Sequence, residues 1–165
     1  MGSLLPGGSA TSQETTIVFL VRHAERGDDG AMTGSEDPRL SPAGDQRAQE
    51  LALLLRDAGI THLHSTDYRR TRATAAPLAR DAGLEVTLYD GGNLQAFARR
   101  LSSIPGRHLV VGHSDTTPAL VAALGGDPHG EIEPLEYDRL YMVRVGPEKV
   151  ETVLLRYGDP YSAPY

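Results

Sequence analysis

Among its 165 residues the chain has no cysteine. That excludes disulfide scaffolds, thiolate metal centres and cysteine nucleophiles together, and it leaves the redox compartment open. No apolar run approaches the roughly 18 residues needed to cross a bilayer, so no membrane-spanning helix is predicted. An excess of positive charge is missing too. Sixteen Lys and Arg stand against 22 Asp and Glu, a formal net charge of −6, which argues against nucleic acid or an anionic membrane as partner. An anionic substrate would therefore need a local positive pocket. There is no internal repeat, and no low-complexity stretch beyond the opening MGSLLPGGSATSQE. That opening lacks a basic start and an apolar run, so it does not read as a signal peptide. Residues 1–14 are expected to be a flexible segment. The expected location is cytoplasmic, with an exported form whose signal has already been removed as the alternative.

What is present is globular. Apolar residues make up 39% and charged residues 23%, and the length suits one domain able to bury about two-thirds of its unfolded surface. Residues 15–165 are expected to form it. Ile17–Val21 (IVFLV) reads as a strand buried on both faces, followed by a Gly- and Asp-rich loop over Gly27–Pro38. Ser41-Pro42 is a helix start. Leu51, Leu54, Leu55 and Ala58 carry the helix to about Ala58, before Gly59. Further strands are predicted at Ile60–Ser65, Glu85–Tyr89 and His108–Gly112. Helices are predicted over Tyr68–Gly83, with Pro77 as a possible kink, within Gly91–Leu101, and from about Thr116 to Gly125-Gly126. Arg139–Val145 and Val150–Gly158 read as a late hairpin across Gly146-Pro147. Arg139–Val145 is compatible with an edge or an internal position. This alternation predicts an α/β three-layer sandwich: a mostly parallel central sheet with helices on both faces. Ligands of such sheets bind beyond the carboxyl ends of the strands.

Three strand ends carry suggestive residues. The first runs into Arg22-His23-Ala24-Glu25, the fourth into His113-Ser114-Asp115, and the second into His64-Ser65, with Arg69, Arg70 and Arg72 opening the next helix. If these strands are parallel, the groups meet at one edge as a compact cationic nest. Guanidinium groups offer paired donors that match phosphate oxygens. A helix N-terminus adds free N–H groups. A neutral imidazole is a competent nucleophile, and a second histidine can steady the transferred charge. Taken singly, each residue has a blander reading. A histidine at a strand end is usually a hydrogen-bonded loop residue. Arg69 and Arg72 suit a solvated helix face, and Glu25 and Asp115 suit caps.

The segments VRHAE (Val21–Glu25), LSPAGDQRAQELA (Leu40–Ala52), STDYRRTRATAAPLA (Ser65–Ala79) and VVGHSDTTPALVAALGG (Val110–Gly126) resemble, in order and spacing, those of the histidine phosphatase superfamily, the phosphoglycerate mutase-like proteins. The resemblance covers roughly residues 16–157. It implies that His23 is the nucleophile that becomes phosphohistidine. It implies that Arg22, Arg70 and His113 bind the phosphoryl group, and that neither metal nor other cofactor is needed. Glu25, Asp90 and Asp115 are the candidates for a general acid. The short stretch from Asp90 to Arg107 resembles the small, lidless branch that includes phosphohistidine phosphatases. The function it implies is hydrolysis of phosphomonoesters or of protein phosphohistidine, the substrate being a small phosphorylated molecule or a phosphoprotein. A phosphoglycerate mutase-type transfer and a non-catalytic phosphate-binding module are the alternatives. Substrate and oligomeric state stay open, and the tail YGDPYSAPY is assigned no role.

Overall fold

In a computed structural model, residues 15–27 and 37–165 are described; the expected flexible segment 1–14 and most of the Gly27–Pro38 loop lie outside them. The elements are β1 (Thr16–Arg22), α1 (Pro42–Leu55), β2 (His62–Ser65), α2 (Arg69–Ala82), β3 (Val86–Leu88), α3 (Leu94–Ser103), β4 (Gly106–Gly112), α4 (Thr116–Ala123), β5 (Arg139–Val145) and β6 (Val150–Arg156). One six-stranded sheet runs in the order β3-β2-β4-β1-β5-β6. β1, β2, β3 and β4 are mutually parallel, while β5 and β6 run antiparallel at one side. The mostly parallel sheet follows from the strand–helix alternation, because each parallel neighbour needs a crossover helix to return the chain. β5 lies inside the sheet, between β1 and β6, which settles the position its sequence left open.

Because side chains alternate along a strand, β1 and β4 feed both faces. Phe19, Val21, Leu109 and Val111 meet Leu51 and Leu55 of α1 and Ala75 and Leu78 of α2. Val18, Leu20 and Val110 meet Phe97 and Leu101 of α3 and Leu120 and Val121 of α4. The continuous apolar runs in the two central strands are thus the mark of burial on both sides.

Some boundaries differ from the sequence-based reading. α1 stops at Leu55 rather than Ala58, because the chain tightens into turns closed by Ala58 N–H on the Leu55 carbonyl (3.0 Å). Ala58 still packs on the core, which is why the helical spacing appeared to continue. β2 begins at His62, not Ile60. β3 is only three residues long. Tyr89 turns inward after it, stacked on Phe97 at 4.2 Å with its hydroxyl on the Val111 carbonyl. α2 runs unbroken through Pro77 to a left-handed cap at Gly83.

His62, His64 and His108 form a parallel stack on the α3 face, with centroids 4.6 Å (His62–His108) and 5.2 Å (His64–His108) apart. His64 Nε2 pairs with His108 Nδ1 at 2.9 Å, and His108 Nε2 donates to the Ile104 carbonyl. The carbonyl accepts only, so His108 Nδ1 is the acceptor and His64 Nε2–H the donor. Burial first, then mutual repulsion, lowers both pKa values below the ordinary imidazole value. His64 and His108 are held neutral in the fold, yet charge in the unfolded chain below about pH 6.5. Their contribution to stability is therefore complete above that pH and is lost as pH falls below it. Urea or thermal unfolding should show stability falling steadily below about pH 6.5, at up to about 1.4 kcal/mol per pH unit for each such imidazole. His64→Phe should flatten the slope. An unchanged slope in that variant would contradict this origin.

Candidate active site

The site is assembled by the ends of the parallel strands. The register pairs Arg22 with Gly112, and the His23 N–H donates to the Gly112 carbonyl at 2.8 Å. His23 and His113, each one residue further on, are thereby brought side by side with ring centroids 5.5 Å apart. Gly112 is required by packing: a Cβ there would lie 2.9 Å from the Tyr89 hydroxyl oxygen and 3.0 Å from Thr116 Oγ1. β2 delivers Thr66 from the neighbouring strand end, and α2 begins just beyond it. In the first turn of α2, the Arg70 guanidinium lies 4.6 Å over the Tyr68 ring and reaches within 3.5 Å of His113 Nδ1. Thr74, one turn later, donates to the Arg70 carbonyl and accepts from the Ala24 N–H at 2.9 Å. This buried hydroxyl locks the loop after His23 onto α2.

Arg22 is held from the opposite side. Its NH1 donates to the carbonyls of Glu136 (2.9 Å) and Glu133 (3.2 Å), and its guanidinium lies 4.0 Å over the Tyr137 ring. The segment providing those carbonyls is fastened by buried Arg139. That residue donates to the Glu136 carboxylate, to the carbonyls of Gly130 and Glu131, and to the Tyr141 hydroxyl. Arg156 adds ion pairs to Glu136 and Asp138.

The result is a polar cleft of about 840 Å³, with Arg22, His23, Arg70 and His113 among the residues lining it, and Asp90 and Asp115 at its margin. The His23 ring is fixed by Nδ1, 2.8 Å from the Ala24 carbonyl. A carbonyl only accepts, so Nδ1 carries the proton and Nε2 keeps its lone pair. Burial, reinforced by Arg22, Arg70 and His113, lowers the His23 pKa to about 3, against the raising effect of the Ala24 carbonyl. Burial and then Arg70 lower that of His113 to about 4. Both imidazoles are thus neutral near neutrality, while the guanidinium groups provide fixed positive charge. Chemically this is a nucleophilic nitrogen beside an anion cradle. Among the described residues no group of His, Asp and Glu is gathered as metal ligands.

His23, His113, Arg22, Arg70, Asp90 and Asp115 therefore share one cleft, as the sequence led us to expect. Two others do not join them. Glu25 grips Arg47 through a bidentate pair at 2.8–3.0 Å, and Arg47 also donates to the Tyr157 and Asp159 carbonyls. Glu25 thus fastens α1 and the C-terminal tail, and is placed as a structural anchor rather than as a proton donor to the cleft. His64 lies within β2 on the α3 face and joins the histidine stack, whereas Thr66 lies beyond Ser65, the last residue of the strand, where the chain has left the sheet. Arg72 pairs with Asp67 on the surface, and Arg69 is exposed. Sequence reasoning missed Thr66, Thr74 and the Glu133–Arg139 segment. A hint lay in the charged stretch EPLEYDR, immediately before a strand whose first residue is a buried arginine.

Residues 18–91 match the family model described as "Histidine phosphatase superfamily (branch 1)". The probable phosphoglycerate mutase GpmB of Escherichia fergusonii is 37% identical over 73 residues, which are 43% of this chain and 34% of that protein. The match therefore spans about a third of the length of that curated relative. Among solved structures, a candidate α-ribazole-5′-P phosphatase from Escherichia coli K-12 aligns with a TM-score of 0.68 at 17% identity, covering 87% of this chain and 96% of the other. A candidate phosphohistidine phosphatase SixA from Agrobacterium tumefaciens aligns with a TM-score of 0.64 at 21% identity, covering 88% and 99%. These likenesses show the fold.

Two substitutions separate the anion cradle from its scaffold. Arg70→Met should weaken binding of inorganic phosphate by about tenfold or more, read by isothermal titration, with little change in melting temperature. Glu25→Gln should cost on the order of 1–3 kcal/mol of stability, read by urea unfolding, while phosphate affinity stays within a few-fold. The reverse pattern would misassign both residues.

Proposed function

From a chain that has the histidine phosphatase fold and matches branch 1 of that superfamily over residues 18–91, we propose a metal-independent phosphatase working through a phosphohistidine on His23. The observation that carries this reading is the His23 ring itself. Its Nδ1 proton is committed to the Ala24 carbonyl, which leaves a lone pair on Nε2 of a ring that lines a cleft with Arg22, Arg26, Arg70 and a second imidazole. Nε2 attacks phosphorus, the Nε2–P bond forms, and the bond to the leaving group breaks. The positive charge that develops on the ring is shared with the Ala24 carbonyl through Nδ1–H. Arg22, Arg70 and His113 surround the transferring oxygens, where charge stabilisation has its largest effect. Water then attacks the phosphohistidine, the Nε2–P bond breaks, and the imidazole returns neutral with inorganic phosphate released. Splitting the transfer into two displacements lowers each barrier.

An ester leaving group needs a proton, and of the three carboxyls lining the cleft Asp67 is paired with Arg72, which leaves Asp90 and Asp115. Asp90 Oδ1 accepts from the Gly92 N–H, and Asp115 Oδ1 from the Thr116 N–H, which leaves the second oxygen of each for the substrate. A phosphohistidine substrate leaves as imidazole and needs less help. Between β3 and β4 there is only α3 with short connections, so on that side the cleft admits a small phosphate ester or a phosphorylated protein side chain. A mutase must hold its phosphorylated intermediate away from water, and this segment is too short to do so. That favours hydrolysis over the transfer named for the GpmB relative.

The test is hydrolysis of an aryl phosphate in the presence of EDTA. Wild type should turn over, and His23→Ala should fall by on the order of 10³-fold or more, with loss of acid-labile, base-stable phosphoryl labelling. Of Asp90→Asn and Asp115→Asn, the variant that removes the acid should slow alkyl phosphates more than aryl phosphates. Equal rates in wild type and His23→Ala would reject the nucleophile. Phosphoryl exchange between small acids in excess of hydrolysis would favour the mutase.

A further inference from the structure

The second imidazole of the cleft is held by a chain of buried hydroxyls that has a direction. His113 Nε2 lies 2.8 Å from Thr66 Oγ1, and Thr66 Oγ1 lies 3.0 Å from Thr71 Oγ1. Thr71 Oγ1 lies 2.9 Å from the Thr66 carbonyl and 3.0 Å from the Tyr68 carbonyl. Thr66 and Thr71 are both buried, Thr71 completely. Thr71 Oγ1 has three acceptors in reach, the two carbonyls and Thr66 Oγ1, and the shortest of these contacts is the one to the Thr66 carbonyl, which takes its single proton in this relay. The Thr71 oxygen is then an acceptor, and Thr66 fills it with its own proton. Were Thr66 to donate to His113 instead, two buried hydroxyl oxygens would face each other at 3.0 Å without a proton between them, an arrangement that leaves both short of partners. With the Thr71 proton on a carbonyl, Thr66 accepts from His113, and Nε2 carries the proton of the neutral ring.

This has a consequence at the other nitrogen. His113 Nδ1 is the atom 3.5 Å from Arg70 NH2. In the resting ring it holds a lone pair turned toward a guanidinium. A phosphoryl oxygen arriving there is itself an acceptor and cannot bond to that lone pair. For His113 to donate to the phosphoryl group, Nδ1 must first gain a proton. The incoming anion favours this, because it offsets the nearby guanidinium charge that otherwise disfavours an imidazolium.

Resting on the phosphatase reading of the cleft, we propose that the Thr71–Thr66 hydroxyl relay holds resting His113 as the Nε2–H tautomer, so that binding of a phosphate dianion takes up a proton at His113 Nδ1 and creates the donor that the phosphoryl oxygen requires. Thr66 and Thr71 are positioning residues that act through His113. The balance is one dianion and one solvent proton bound together. The Nε2–H stays on Thr66 throughout, and the Nδ1 proton is returned when inorganic phosphate leaves. The arrangement keeps the empty site from carrying a third buried cation, and it adds positive charge only when there is negative charge to meet it.

The experiment has two arms. In the phosphate-free protein, ¹⁵N chemical shifts of the His113 ring should report the Nε2–H tautomer, and an Nδ1–H tautomer in wild type would overturn the relay. Calorimetric titration of inorganic phosphate above neutrality, in buffers of different ionisation enthalpy, should show uptake of about one proton per site. Thr66→Ser should preserve that uptake. Thr66→Val should bring it toward zero and shift the ring toward Nδ1–H, whereas a purely structural role for Thr66 would lower affinity and leave proton count and tautomer unchanged. Unchanged uptake in Thr66→Val would also overturn the proposal. If wild type bound no phosphate, the phosphatase reading would fall, and the ¹⁵N shifts would still decide the relay.

Discussion

The parallel pairing of β1 with β4 is the constraint on which the site depends. The ladder continues past its last paired residues, Arg22 and Gly112, through the His23 N–H on the Gly112 carbonyl. That bond sets the separation of two imidazoles that are 90 residues apart in the chain. Neither side chain has to search for the other, because backbone hydrogen bonds buried between two helical layers hold the strand ends in register. Gly112 lets the Tyr89 hydroxyl and the α4 threonines approach. The Gly-His pair at the end of β4 is therefore a packing requirement adjoining a chemical group.

Around this frame the electrostatics follow one division of labour. The guanidinium groups carry permanent charge, and the imidazoles are kept neutral. Burial and the fixed cations act together on His23 and His113 to hold them uncharged, and a neutral ring is the only form with a lone pair to give. The cations are in turn held by partners of different kinds. Arg22 is met by two carbonyls and the face of Tyr137. The carboxylate of Glu136 is taken by Arg139 and Arg156 and supports the segment behind the site, while Asp37 lies 3.7 Å from Arg70 NH1. Carbonyl partners orient a guanidinium while leaving its net charge in place, which suits a group that binds an anion.

The same logic explains the two residues that proximity in sequence misplaced. Glu25 is two residues from His23, but the chain turns between them and α1 packs against it. Gly44 has no Cβ because that atom would lie 2.2 Å from the Glu25 carbonyl oxygen, and Arg47, one turn later, takes the Glu25 carboxylate. His64 lies inside β2 with its ring on the α3 face, while Thr66 comes after the strand has ended at Ser65. The His64 ring stacks on His62 and His108, and His108 links the sheet to the Ile104 carbonyl at the end of α3.

Local pattern in the sequence was enough to determine the element order, the mostly parallel sheet, the direction in which its ligand edge faces, and four of the side chains at that edge: Arg22, His23, Arg70 and His113. Strand ends, helix starts and residue chemistry mark Arg22, His23, His113 and the arginines opening α2, and the resemblance to the histidine phosphatase superfamily picks Arg70 among the latter. Only the tertiary structure decided that Glu25 belongs to Arg47, that Thr66 and Thr74 hold the site's histidine and loop, and that the Glu133–Arg139 segment supports Arg22. Those contacts join residues from 22 to 114 positions apart. A hydroxyl or a carbonyl gives no sign along the chain of which distant donor will reach it, because its partner is chosen by the packing of whole elements and not by the residues beside it.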